Sequence, residues 1–270
     1  MKLIGLMYHE LVQPANSEMS AGSGFDADGT SIYSIPIERF EGHLDMLRAR
    51  GIPVRLVHDA ALRDADGVAA LITFDDGGRS NFEVARPLLN RFGVKAHFLV
   101  TTDLLDTAGF MTSEQVRTLH EEGHVIGAHG ATHRYFSQLP ADELEDELTR
   151  SREKVEFITG ERCRVLCIPG GEVRTWMHRL FEKAGYSIVF GSVPSMSHAR
   201  DIGTRAIGRI SPRSYETLDD FAQTITPPYR WFRRYYYRYL ALTLAKRALG
   251  TQRFLAIRKW LLGCVRRHGK

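Results

Sequence analysis

Short apolar runs recur along this chain, and most are followed by a segment patterned for a helix. Residues 2–8, 54–57, 69–74, 95–100, 125–128, 164–168, 187–190 and 206–210 read as strands. Between them, a helix starts at Pro36, turns Phe40, Leu44 and Leu47 inward and is capped by Gly51. Further helices are expected over about 80–92, from Thr112-Ser113 to Glu122, and over 142–159. Residues 13–34, rich in Ser, Gly, Asp and Ala, read as a long loop. Strands alternating with helices of ten to fifteen residues predict an α/β fold with a parallel sheet. Seven or eight such units favour a closed barrel over an open sheet.

In parallel α/β proteins, chemistry gathers where strands end. Two ends stand out. One is Thr73-Phe74-Asp75-Asp76-Gly77. Adjacent carboxylates at a strand exit cannot both point into the same space, so one can hold a metal while the other takes protons from water. A plain Asp-Gly turn is the competing reading. The other end is His129-Gly130-Ala131-Thr132-His133. Histidines at i and i+4 on a helical turn would share a face and grip one ion. One Asp and two His make the open coordination of a catalytic zinc, with room left for water. The same O and N donors accept cobalt, nickel or manganese.

Together these segments, with Gly123-His124-Val125-Ile126-Gly127-Ala128 leading into His129, resemble the polysaccharide deacetylase family of carbohydrate esterases (family 4). Lys95-Ala96-His97-Phe98 and Pro169-Gly170-Gly171 extend the resemblance, which covers about residues 2–213. It implies a distorted (β/α)7-type barrel. It makes Asp75 the general base, Asp76, His129 and His133 the ligands of a divalent metal, zinc first, and Gly170 the backbone N–H that holds the oxyanion. The Leu-x-His that supplies the family's general acid has no match near the end of the domain. Met7-Tyr8-His9 instead resembles the circularly permuted branch of poly-N-acetylglucosamine deacetylases, which makes His9 the candidate acid. Two departures remain. Cys167 stands where the family carries a base-orienting Arg, so Arg209 is the candidate replacement, and the usual Trp motif is absent near Phe190-Gly191.

The function implied is hydrolysis of an N-acetyl group from an amino sugar of a polysaccharide or a lipid-linked saccharide. A sugar deformylase or other deacylase, and a catalytically silent saccharide-binding assembly protein, are the alternatives. Of the other histidines, His97 and His198 are pocket candidates, His124 reads as structural, and His43, His58, His120, His178 and His268 read as surface residues.

The formal charge of +4 hides an asymmetry. Twelve of the 36 Lys and Arg follow Asp220, where no Asp or Glu occurs, leaving 24 basic against 32 acidic residues before it. A catalytic domain over 1–226 and a basic, aromatic tail over 227–270 are therefore expected. Two amphipathic helices joined near Gly250 would suit an anionic membrane surface. The competing reading packs their apolar stripes on the barrel. No nucleic-acid motif is visible, and no nucleic-acid partner is expected. Three cysteines and no signal-peptide core point to the cytoplasm, on the inner face of the membrane.

Overall fold

A computed structural model describes residues 1–13, 24–25, 31–64, 66–227 and 229–250. β1 (Lys2–Tyr8), β2 (Glu10–Val12) and β3 (Ser34–Pro36) precede α1 (Ile37–Ala49) and the short α2 (Ala61–Asp64). Then come β4 (Val68–Phe74), α3 (Arg86–Phe92), β5 (His97–Val100), α4 (Ser113–Glu121), β6 (Val125–Ala128) and α5 (Ala141–Thr159). β7 (Val165–Cys167), α6 (Met177–Lys183), β8 (Ile188–Phe190), β9 (Ser197–His198), β10 (Arg209–Ile210), α7 (Leu218–Ile225) and α8 (Arg230–Leu249) follow.

Seven strands form a parallel path in the order β10-β1-β4-β5-β6-β7-β8, and β9 adds to β1 antiparallel. The sheet curls until its ends meet. Phe190 bridges Ile207, with Ile207 N–H donating to Val189 O at 2.8 Å and Gly191 N–H to Ile207 O at 2.9 Å. This is the expected (β/α)7-type barrel.

Alternation along each strand splits the buried residues into two cores. Leu3, Ala69, Leu71, Leu99, Val125, Val165, Cys167, Phe190 and Ile207 fill the lumen. Ile4, Leu6, Tyr8, Ile72, Phe74, Phe98 and Ile126 face outward against the helices. The lumen is narrow, and Gly5 shows why a glycine is needed there. A Cβ on Gly5 would lie 2.5 Å from Gly208 O and 2.7 Å from Arg209 Cγ. The missing side chain leaves the space that the Arg209 stem occupies.

Several expectations are revised. Residues 54–57 form no strand, only a bridge from Val54 to Ala70. Pro53 beside it has no N–H to extend a ladder. The helix expected over 80–92 is wound as a π-turn over Asn81–Ala85 before α3 proper. Pro87 cannot donate to the preceding turn, which removes one i→i−4 bond there. α6, α7 and β9 are short elements that periodicity did not reveal. Most of the loop expected over 13–34 lies outside the described residues, as does the second tail helix expected after Gly250.

The first tail helix exists as α8, and its apolar residues are divided. Phe232 and Tyr235 are buried on the body of the protein. Tyr236, Tyr237, Leu240 and Leu244 are exposed. No described helix is long and apolar enough to cross a membrane.

Candidate functional site

The register places the site. β1 and β4 pair along their whole length, Lys2 with Val68 through Tyr8 with Phe74, so the next residues, His9 and Asp75, emerge side by side. Val100 pairs with Ala128, and Ala128 with Leu166, so His129 follows beside Cys167. Gly5 pairs with Arg209. Leu3, Leu71, Val125 and Val165 point into the lumen. Period-two alternation from them carries His9, Asp75, His129, Cys167 and Arg209 to the same side.

Asp76 should then point outward. Its φ of 75° turns it back, a backbone state rare for a residue with a Cβ. The two carboxylates accordingly separate. Asp75 is gripped by Arg209, whose Nη1 lies 2.6 Å from Oδ1 and whose Nη2 lies 2.8 Å from Oδ2. The same guanidinium donates to Thr73 Oγ1 at 2.8 Å and Gly191 O at 2.9 Å. Cys167 Sγ sits 3.0 Å from Nη2 and 3.3 Å from Asp75 Oδ2. All three side chains are buried. Burial alone would raise the Asp75 carboxyl, but Arg209 and the nearby imidazoles hold it below the usual carboxylate range. Arg209, named from sequence only as a candidate, is thus the side chain that faces Asp75.

Asp76 faces the histidines. Its Oδ1 is 3.3 Å from His129 Nε2 and 3.2 Å from His133 Nε2. That oxygen is buried and has no hydrogen-bond partner. Burial pushes this carboxyl up, yet the two imidazoles keep it well below its usual range. His129 Nδ1 lies 3.1 Å from Cys167 O. An Nδ1–H donating to that carbonyl leaves the Nε2 lone pair free toward Asp76. The three ligand atoms lie within 4.8 Å of one another, the spacing of a site that one cation could complete.

Asp75, His129 and Cys167 also cluster within 4.8 Å. The Arg209 guanidinium already occupies that space and disfavours a cation.

The helical turn expected to bring His129 and His133 together is absent. The segment is a loop, turned by Gly130 at φ 74° and by His133 itself at φ 65°. A residue missed from sequence holds it. Glu147, on the buried face of α5, is 0% exposed and accepts from Ala131 N–H at 2.7 Å and Thr132 N–H at 3.0 Å. It also accepts from the Thr132 hydroxyl, and Arg134 Nε stands 3.5 Å away. An acid among the apolar positions Leu144, Leu148 and Val155 was the available signal.

Asp75, Asp76, His129, His133, His9 and Gly170 all line one cleft of about 960 Å³ at this end of the barrel. Gly170 occupies the turn after β7 with φ 73°, and a Cβ there would press on the Tyr135 ring at 3.0 Å. His9 packs at a tilt against Tyr33 with ring centroids 4.8 Å apart, and its Nδ1 is buried without a partner. Burial lowers its pKa, opposed by the charges of Asp76 and Asp75.

The remaining histidines sort differently. His97 is structural, with Nδ1 2.9 Å from Ile72 O and Nε2 accepting from Val57 N–H. His124 is structural too, accepting from Ala96 N–H. His198 lines a separate depression with His58. His43, expected at the surface, is buried, bonded to Tyr8 Oη at 3.0 Å and stacked on Phe221.

A parallel barrel with an ion-paired carboxylate beside an Asp-His-His cluster at its strand exits has the layout of a hydrolase. Comparison with known proteins gives the family. Residues 63–189 match the polysaccharide deacetylase family model. The Bacillus subtilis protein YxkH, named for the same family, is 24% identical over 214 residues, covering 77% of this chain and 71% of YxkH. The peptidoglycan-N-acetylmuramic acid deacetylase PdaA of Bacillus subtilis is 29% identical over 127 residues, 45% of this chain and 46% of PdaA. The deacetylase PplD of Streptococcus pyogenes shares the fold with a TM-score of 0.70 at 20% identity, covering 84% of this chain and 99% of PplD. Residues 63–189 carry a polysaccharide deacetylase domain, and the family match supports a carbohydrate deacetylase hydrolase.

Proposed function

We propose that the protein removes the N-acetyl group from an amino sugar, within a polysaccharide or on a lipid-linked saccharide, with the help of a divalent metal, zinc first. One observation carries the metal: the buried Asp76 Oδ1 has no hydrogen-bond donor and faces two imidazole nitrogens. Asp76, His129 and His133 would hold the ion. When bound, it supplies Lewis-acid polarisation and makes water more acidic.

The chain's own groups perform the rest. Asp75 stays ionised because Arg209 faces both of its oxygens, and it accepts the proton of the attacking water at a carboxylate oxygen. The Gly170 N–H supplies a fixed donor for the charge that develops on the acyl oxygen. His9 delivers a proton to the departing nitrogen. Burial lowers its pKa and the charges of Asp76 and Asp75 oppose that shift, and the imidazolium that gives up its proton is recharged from solvent before the next turnover.

The test is acetate release from N-acetyl sugars together with metal analysis. Asp75→Asn should keep the metal and lose about 10²–10⁴-fold in kcat, as should His9→Ala. Asp76→Asn should lose metal as well. Equal metal loss in Asp75→Asn and Asp76→Asn would end this division of roles. Release of formate in place of acetate would change the acyl group, and no stoichiometric metal in the parent would favour a silent scaffold.

We also propose that the protein works on the cytoplasmic face of a membrane. Tyr237, Leu240 and Leu244 are exposed at helical spacing on α8, with Arg233 and Arg234 exposed on the same helix. Aromatic and apolar groups interleaved with cations suit an anionic headgroup layer. The full chain should float with anionic liposomes, and changing Tyr237, Leu240 and Leu244 to Ser should weaken flotation severalfold. Flotation unaffected by the triple change would reject this face.

A further inference from the structure

Beyond the catalytic cluster, the cleft runs under α8. Its outer wall is formed by the chain after β1, the chain after β10, and α8 itself. Three polar groups on this wall have no bonding partner. Arg213 Nε and Nη1 are buried without one, and so is Ser211 Oγ. Both residues line the cleft. Arg238, also on the cleft, brings a second guanidinium that donates to the Tyr215 hydroxyl.

Among the described residues, the carboxylates near this wall are engaged elsewhere. Asp75 is held by Arg209. Asp76 faces His129 and His133. Glu172 stands 3.4 Å from Arg174. Glu216 is nearest in sequence, but its Oε2 takes the backbone N–H of Arg213 at 3.0 Å and the Tyr235 hydroxyl. No described carboxylate pairs with the Arg213 guanidinium, whose Cζ lies 4.2 Å from the centroid of the Tyr33 ring. Tyr33 also neighbours His9. The orphaned cation and the proposed proton donor therefore share one aromatic neighbour.

Burying donors of a charged group without acceptors is costly, so their ligand is expected from outside the chain. Two guanidinium groups and a hydroxyl on one wall suit a tetrahedral oxyanion, which offers more acceptor oxygens than a carboxylate. We propose that this wall is a subsite for a phosphate carried by the substrate, next to the sugar whose amide is hydrolysed. The proposal rests on the deacetylase reading and narrows it to amino sugars bearing a phosphomonoester or phosphodiester. In this geometry Arg213 and Ser211 hold the phosphate, Arg238 closes over it from α8, and Tyr33 links the subsite to His9.

The test is equilibrium binding, read separately from turnover. The full chain, with metal and after chelation, is titrated calorimetrically with N-acetylglucosamine 1-phosphate, its methyl phosphodiester and methyl N-acetylglucosaminide. The phosphorylated sugar should bind at least about tenfold tighter than the neutral one, the scale of one charge-assisted hydrogen bond. That preference should survive chelation, weaken with salt, collapse in Arg213→Gln and return in part in Arg213→Lys. Equal binding of the diester would mark a linked sugar as the ligand, and preference for the monoester a free sugar phosphate. Equal affinity for the neutral and phosphorylated sugars, or a preference unchanged in Arg213→Gln, would overturn the subsite. Arg213-dependent binding without acetate release from any of the three would leave the subsite standing and remove the deacetylase reading instead.

Discussion

Arg209 and Arg213 stand four residues apart at the same mouth of the barrel, in opposite circumstances. Arg209 is buried in the lumen and spends its donors on Asp75, Thr73 and Gly191. Arg213 is partly exposed, rests on Tyr33, and keeps two buried donors without acceptors. The first arrangement is complete before any ligand arrives. It fixes the charge state of one carboxylate and excludes a cation from its vicinity. The second is incomplete by construction and gains its partners only from something that enters. A site therefore advertises its chemistry in two ways: by groups held too firmly to do anything else, and by groups held with nothing to do.

The largest effect expected from this contrast is at Arg209. Arg209→Met leaves Asp75 as an uncompensated buried carboxylate. Removing one partner of a buried pair costs about 3–5 kcal/mol. Chemical denaturation should show that loss, and turnover should fall with it because burial then raises the Asp75 carboxyl. A midpoint within experimental error of the parent would mean the pair is structurally idle.

A smaller effect belongs to Glu147, which supports the loop of the proposed metal ligands without touching their donor atoms. Glu147→Gln keeps the shape but turns a carboxylate accepting three hydrogen bonds into a neutral amide. The loop carrying His129 and His133 should loosen. Metal affinity should fall about 10–100-fold, the range for residues that support ligands from behind. Competition with a chelator of known affinity measures it. Unchanged affinity would show that Gly130 and the left-handed His133 set the loop unaided.

The inner half of this contrast was more legible in the sequence than the outer half, for physical reasons. Asp75, Asp76, His129 and His133 sit at the ends of apolar strands, where period-two patterning and abrupt polarity mark both the strand and its exit. Arg209 could be named only as a candidate, a charge on a neighbouring strand able to stand in for the base-orienting Arg whose place Cys167 takes. The reason for its burial, the cut-away at Gly5, depends on a pairing 204 residues apart. His129 and His133 were expected on a helical turn, because spacing alone cannot distinguish a helix from a loop bent by left-handed residues. Glu147 was passed over inside an amphipathic helix, where one acid looks like surface. Arg213 and Ser211 follow the last strand in a segment without periodicity. Only the folded chain shows that their polar atoms are shut in without partners.

The smallest effect, and the sharpest discriminator, is Arg213→Met. Were Arg213 structural, its loss should cost stability as Arg209 does. Because its buried donors are unmet, removing them relieves a desolvation penalty of about 1–3 kcal/mol. Against that stands the lost contact with Tyr33, worth about 0.5–2 kcal/mol for a cation over an aromatic face. The methionine keeps much of the aliphatic stem, so packing changes little. The two terms nearly cancel, and the denaturation midpoint should move by less than about 1 kcal/mol in either direction. The same measurement on Arg209→Met gives the scale. If Arg213→Met instead lost stability comparable to Arg209→Met, the two arginines would be equivalent structural cations, and the idle donors of Arg213 would signify nothing about a ligand.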